Sequence, residues 1–149
     1  LDFRTTPNNT QVAVVALTLN QDQSATFTNA VLTTSPSAGI GYGTGAGGTV
    51  TQITSKATGV TLNKATGQIT MNGALLLAST DVNFTLTNST IAATDILVLN
   101  HISGGTAGSY VLNAQCAAGS ASINVRNVSL GTLTEAPVIA FAVIKAVTA

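Results

Sequence analysis

Along most of this chain polar and apolar residues alternate in steps of two rather than three or four. Asp81–Thr87 (DVNFTLT) is the cleanest case. Val82, Phe84 and Leu86 fall on one side of an extended chain, with Asn83, Thr85 and Thr87 on the other, the signature of a half-buried strand. Ala121–Val128 alternates Ile123 and Val125 against Asn124 and Arg126 in the same way. Shorter Thr- and Val-rich segments at Gly59–Asn63, Gly67–Asn72 and Leu75–Ala78 read as strands, and Thr49–Ile53 fits either a strand start or one helical turn. Thr94–Ile102 and Ser109–Gln115 flank SGGTAG, which predicts a hairpin connection. After Pro137, Val138–Val147 is apolar on both alternating sets (Val138, Ala140, Ala142, Ile144 and Ile139, Phe141, Val143). It is therefore expected to be the most buried strand, with both faces covered.

Turn signals recur roughly every eight to twelve residues, the spacing of a sandwich or barrel, and no amphipathic helix is evident. The fold class is all-β: an antiparallel β-sandwich-like module over residues 49–149, preceded by an N-terminal arm and hairpin over 1–38. Leu1–Thr10 reads as an extended arm; Gln11–Leu19 and Ala25–Thr33, joined by the turn NQDQS, read as the hairpin. Between arm and module lies a glycine-rich joint, 39–48 (GIGYGTGAGG). Its alternating glycines leave one side of an extended ribbon bare, where another backbone could approach; a flexible linker fits the same composition.

Composition narrows the class. Charged residues make up 7% of 149, with zero net charge, against roughly 25% in ordinary globular chains. A broad electrostatic footprint for nucleic acid or anionic lipid is missing, and a weakly charged surface is poorly protected against association. Self-assembly is the expectation. No apolar run reaches the roughly 18 residues of a membrane span. The chain begins at Leu1, and LDFRTTPNN lacks the order of a signal peptide, which predicts a fragment or processed product.

Candidate chemistry is thin. GTGAGG matches the spacing of a dinucleotide-binding loop, but no strand precedes it and no helix follows. His101 is the single histidine. Asp95 lies six residues away, roughly 20 Å along a straight strand, which excludes a triad with Ser103; a loop-edge or interface histidine is expected, and convergence of one such residue per chain on a metal has only NHI to support it. The acids Asp2, Asp22, Asp81, Asp95 and Glu135 form no close pair in sequence, so a glycosidase pair would need folding or a second chain to assemble it. Lys56 and Lys64 read as solvated charges at turns, Arg126 as the partner of an acid such as Glu135 or Asp95 across a subunit boundary, and Cys116 as a buried, inert thiol. Asn8, Asn83, Asn88 and Asn127 fit N-x-[ST], at the level chance gives in a chain so rich in Asn and Thr. No catalytic, cofactor or metal residue is assigned, and none for a receptor.

Three segments nevertheless carry a resemblance: GAGGTVTQ with TGVTLNKATGQITM, then ATDILVLNHISGGTAGSYVLNA, then SINVRNVSL through IAFAVIKA. Over roughly three-quarters of the chain, from Gly41 to Ala149, they resemble a module of bacteriophage and prophage virion proteins, in particular the C-terminal part of tail fibres. The resemblance implies a non-enzymatic, intertwined homotrimer on the virion that recognises a bacterial surface polysaccharide or outer-membrane receptor. The alternatives are a capsid decoration or head-fibre protein and a fragment of a capsular polysaccharide depolymerase.

Overall fold

The computed structural model describes residues 1–5, 14–27, 30–37 and 39–148, and the chain is all-β, arranged as two compact units, Leu1–Gly41 and Tyr42–Ala149. In the first unit β1 (Asp2–Thr5), β2 (Val14–Leu19) and β3 (Ala25–Phe27) form an antiparallel sheet in that order. The expected hairpin is β2–β3, turning through Gln23 at φ 67° with Asp22 Oδ1 accepting from the Ser24 amide at 3.0 Å. Over Asp2–Thr5 the expected extended arm is paired as β1: Leu1 and Leu19 exchange main-chain bonds of 2.8 and 3.0 Å, which zips the terminus onto β2. The rest of the arm and residues 11–13 and 28–29 of the expected strands lie outside the described residues; Ala30–Thr33 is not strand.

The second unit contains β4 (Thr49–Thr51), β5 (Val60–Thr61), β6 (Thr66–Thr70), β7 (Asp81–Thr87), β8 (Ile96–Ser103), β9 (Tyr110–Ala117), β10 (Ser120–Asn127) and β11 (Val138–Ile144). One sheet runs β5-β7-β10-β9 and the other β4-β6-β11-β8. Pairing is antiparallel except at two short edges, where β4 lies parallel to β6 and β5 parallel to β7. Phe84, Leu86, Ile123 and Val125 from one sheet meet Ile69, Ile139, Phe141 and Val143 from the other, all at most 3% exposed. Burying a large aliphatic or aromatic side chain contributes on the order of 1.5–3 kcal/mol, so this shared layer contributes more to stability than any other set of contacts in the unit.

Successive strands of the second unit pass from sheet to sheet; among its described strands the β9–β10 hairpin, turning through Ala118 and Gly119, is the one consecutive pair that stays together. SGGTAG is therefore not a hairpin connection. Residues 104–109 arch between β8 in one sheet and β9 in the other, because β8 takes its hydrogen bonds from β11 and β9 from β10. Leu75–Ala78 is likewise not a strand: only Leu76 pairs, with Leu133, in an isolated bridge. β11 is buried on one face as expected, while Ile144 on the other is 51% exposed in the single chain.

Most of the glycine joint belongs to the second unit. Gly45 (φ 92°) turns the chain, the Ala46 amide donates to Gly43 O, and the Tyr42 hydroxyl donates to Val143 O. The close backbone approach occurs within the chain, where a Cβ on Gly67 would lie 2.8 Å from Gly48 O and 2.6 Å from Leu62 Cδ2.

The arch supplies a test. Gly104 (φ 74°) and Gly108 (φ 78°) both occupy the left-handed region, but a Cβ on Gly104 would sit 2.3 Å from Ala136 O, whereas one on Gly108 meets nothing within 4 Å. Gly108→Ala is expected to cost about 1 kcal/mol in urea unfolding, and Gly104→Ala a further 1–3 kcal/mol or so for the forced backbone shift. Equal losses would show that the arch yields freely.

Candidate functional site

The arch gathers the densest set of chemically active side chains in the second unit. His101 on β8 and Tyr110 at the start of β9 meet edge to face, ring centroids 5.4 Å apart. The Tyr110 hydroxyl donates to Glu135 Oε1 at 2.9 Å, and Glu135 also accepts from the Thr106 amide at 2.6 Å and the Thr106 hydroxyl at 3.1 Å. Gly105 makes this convergence possible, since a Cβ there would lie 3.0–3.3 Å from the Tyr110 ring, Glu135 Oε1 and His101 Nε2 at once. Because Ser103 O, 2.8 Å from His101 Nε2, can only accept, that nitrogen carries the proton.

Electrostatics describe a clamp. The Thr106 amide, followed by the Tyr110 and Thr106 hydroxyls, holds the Glu135 carboxyl below the usual range, and burial with the neighbouring carboxylate raises the Tyr110 hydroxyl. A carboxylate kept ionised and saturated with donors is poorly suited to giving up a proton near neutral pH. His101 is at the arch edge, as expected, and Asp95 does not meet it. Asp95 Oδ2 instead accepts from Lys145 Nζ at 2.6 Å and from the Ala92 amide at 2.8 Å, contacts that lower its pKa, led by the Lys145 hydrogen bond.

The remaining sequence candidates separate. Asp81 Oδ2 accepts from Asn124 Nδ2 at 2.9 Å, and Asp22 lies in the first unit; the side chain of Asp2 is outside the described residues. Among the described acids each has its own partners and no two share a site. Arg126 reaches Ser79 O at 3.5 Å, while Asp95 and Glu135, its expected partners, are occupied within the chain. Cys116 faces the core and is half-buried, and desolvation raises its thiol pKa.

Lys56 requires a correction. It is 3% exposed, not solvated, with Nζ donating to Asn72 O at 2.5 Å and Glu135 O at 2.6 Å. Burial lowers its pKa and the Glu135 charge opposes that shift. Beside it Gln52, 2% exposed, donates to Lys56 O and Thr58 O and accepts from the Asn72 amide. Asn88 and Asn127 are fully buried: each accepts from the amide and hydroxyl of the residue two positions on, Thr90 and Ser129. Their N-x-[ST] pattern is thus a pair of Asx turns, with the hydroxyl residue serving the turn.

A second feature is a surface, not a cleft. The outer face of β7-β10-β9 sets Asn83, Asn124 and Asn113 side by side, with Thr85, Ser122 and Gln115 in the next row. Asn124 Nδ2 bridges to Asn83 Oδ1 at 3.0 Å. Periodicity marks these positions as outward-facing; only the strand order shows that they form one ladder.

Two measurements check these assignments. Lys56→Met leaves two buried carbonyls without their donor and is expected to cost about 2–4 kcal/mol in urea unfolding, at roughly 1–3 kcal/mol per orphaned group; a loss below 1 kcal/mol would mean water replaces the ammonium. Asp95 and Glu135 have folded pKa values below their unfolded ones, so their stabilisation is complete above about pH 4–5 and is lost as pH falls through the folded values. Melting temperature should accordingly drop below about pH 4, less steeply in Glu135→Gln. Set against models of known families, curated proteins and solved structures, the chain matches none of them.

Proposed function

We propose that this chain is a structural virion protein, the tip of a bacteriophage tail fibre, and that it attaches the particle to the surface of a bacterial cell. The observation that carries the reading is the amide- and hydroxyl-bearing ladder on the outer face of β7-β10-β9. Such groups donate and accept hydrogen bonds without the desolvation cost of full charges, which suits the hydroxyls of a surface polysaccharide. The resemblance of GAGGTVTQ, TGVTLNKATGQITM and IAFAVIKA to tail-fibre modules supports the same reading. Homotrimer formation belongs to the proposal as the expected state of such a tip.

The polysaccharide-cleaving alternative draws no support from the acids. A glycosidase pair places two carboxyls roughly 5–10 Å apart around one bond, whereas Glu135, Asp95 and Asp81 are each bonded to different partners on different elements.

Fluorescently labelled protein is expected to bind host bacteria, and to compete with phage adsorption. Asn113→Ala with Gln115→Ala should weaken that binding more than tenfold, since two hydrogen bonds of about 1 kcal/mol each exceed the 1.4 kcal/mol or so that corresponds to a factor of ten. Binding that competes with phage but is unchanged in this variant would move the receptor site elsewhere. No binding to any host cell would favour a decoration role on the head.

A further inference from the structure

The two flanks of the sandwich are unlike. β4 and β5, at one flank, are three and two residues long, whereas the opposite edges, β8 and β9, have eight residues each. These long edges adjoin, yet among the described residues no main-chain hydrogen bond crosses from one to the other. β11 turns Phe141 O and the Val143 amide toward Thr66 and Ala65, so alternation bonds its Ala140 and Ala142 to Asn100 and Val98 of β8. Leu99 and His101 therefore aim their amides and carbonyls at the open edge. On β9 the Val128 amide bonds Ser109 O, and the same alternation turns the main chain of Tyr110 and Leu112 to its open edge. At one end of the seam the Leu97 amide bonds to the Cys116 sulfur. At the other, under the arch, lies an open cleft of about 370 Å³, lined by Leu99, His101, Ala107, Gly108, Tyr110 and Leu112.

We propose that this cleft binds one uncharged sugar ring, a terminal or branch pyranose of a glycan, at a site separate from the amide ladder. The walls select that ligand. Strand edges offer amides and carbonyls together, and each sugar hydroxyl both donates and accepts, so one polyol meets both kinds. A flat apolar molecule would take water from these groups and leave them unpaired, at a cost. The His101 and Tyr110 rings, with Leu99 and Leu112, supply an apolar wall for the carbon–hydrogen face of a pyranose. His101 Nε2 is engaged by Ser103 O, which leaves Nδ1 as an acceptor that no described residue fills. No Asp, Glu, Lys or Arg lines the cleft, so an acidic or basic ligand would be desolvated there without a counter-ion. The volume of about 370 Å³ is near the lower end of the roughly 300–1,000 Å³ of ligand pockets, which suits one ring and not a long oligomer. A ring of about twelve heavy atoms should bind there with a dissociation constant on the order of a millimolar. The assignment rests on neither the ladder nor self-assembly.

Nuclear magnetic resonance of the intact chain, titrated with the methyl glycosides of glucose, galactose, mannose and N-acetylglucosamine, tests it. At least one of these probes should shift the His101 and Tyr110 ring signals in a saturable way, while the side-chain amides of Asn113 and Gln115 report on the ladder in the same sample. Ala107→Trp, which adds bulk at the cleft wall, should weaken the Tyr110 response at least tenfold and leave the circular dichroism of the wild type. Shifts confined to Asn113 and Gln115 would give the sugar to the ladder and overturn the cleft alone. Ring signals that stay fixed with every probe up to about 50 mM, far above a millimolar constant, would overturn it too. So would an unchanged response in folded Ala107→Trp; if that variant does not fold, the wild-type titration still decides between cleft and ladder.

Discussion

Everything in the second unit depends on how the irregular stretches between its strands satisfy their buried main-chain groups. With strands passing from sheet to sheet, most connections cross the sandwich ends instead of closing as tight hairpins, and their carbonyls and amides cannot all find ladder partners. Gln52, Lys56, Asn88 and Asn127, each at most 3% exposed, supply what is missing. Asn127 alone donates to Leu76 O, Leu77 O and Gly131 O, holding two connections against the end of β10. Among the described residues no buried side-chain nitrogen or oxygen is left without a partner. The apolar layer supplies the larger energy, but these amides and one ammonium determine which connections can close over it.

Glu135 ties this scaffold to the arch. Its carbonyl receives Lys56 while its carboxylate receives Thr106 and Tyr110, so one residue anchors the stretch before β11 on two sides. Scarcity of charge explains the arrangement. With few ionic groups available, each described carboxylate in the second unit is placed at a join: Asp95 fastens the end of β11 through Lys145, and Asp81 begins the Asn ladder. The broad faces are left almost entirely to uncharged chemistry: amides and hydroxyls over β7-β10-β9, and on the other sheet threonines and Gln68 over β4 and β6 beside apolar side chains over β11 and β8. The ladder over β7-β10-β9 is what the proposed attachment role draws on.

Much of the fold was legible because alternation is local. Asp81–Thr87 forms a strand over the residues its pattern marks, and β10 and β11 agree with expectation to within a few positions. What pairs with what was not legible. SGGTAG has hairpin composition, yet β8 and β9 pair elsewhere, since both have inward residues that fill the same core from opposite sheets. Lys56 looked solvated because a lysine's neighbours in sequence say nothing of two carbonyls contributed by residues 16 and 79 positions away. The candidate site was visible only as single letters. His101 was marked as an edge residue, while Tyr110, Thr106 and Gly105 carry no motif and meet Glu135 only through the arch.

One consequence of the Gln52–Lys56 knot concerns chemical ageing. Asn72 precedes Gly73, a pair in which the unhindered glycine amide can attack the asparagine side chain and convert it to aspartate or isoaspartate. Here the Asn72 side chain donates to Ile53 O and accepts from the Ala74 amide, while its main chain is held by Gln52 and Lys56. The rotation that brings amide onto carbonyl carbon must break several of these bonds together. The contacts that close the sandwich end thus also slow a covalent clock written into its sequence, and partial unfolding would restart it.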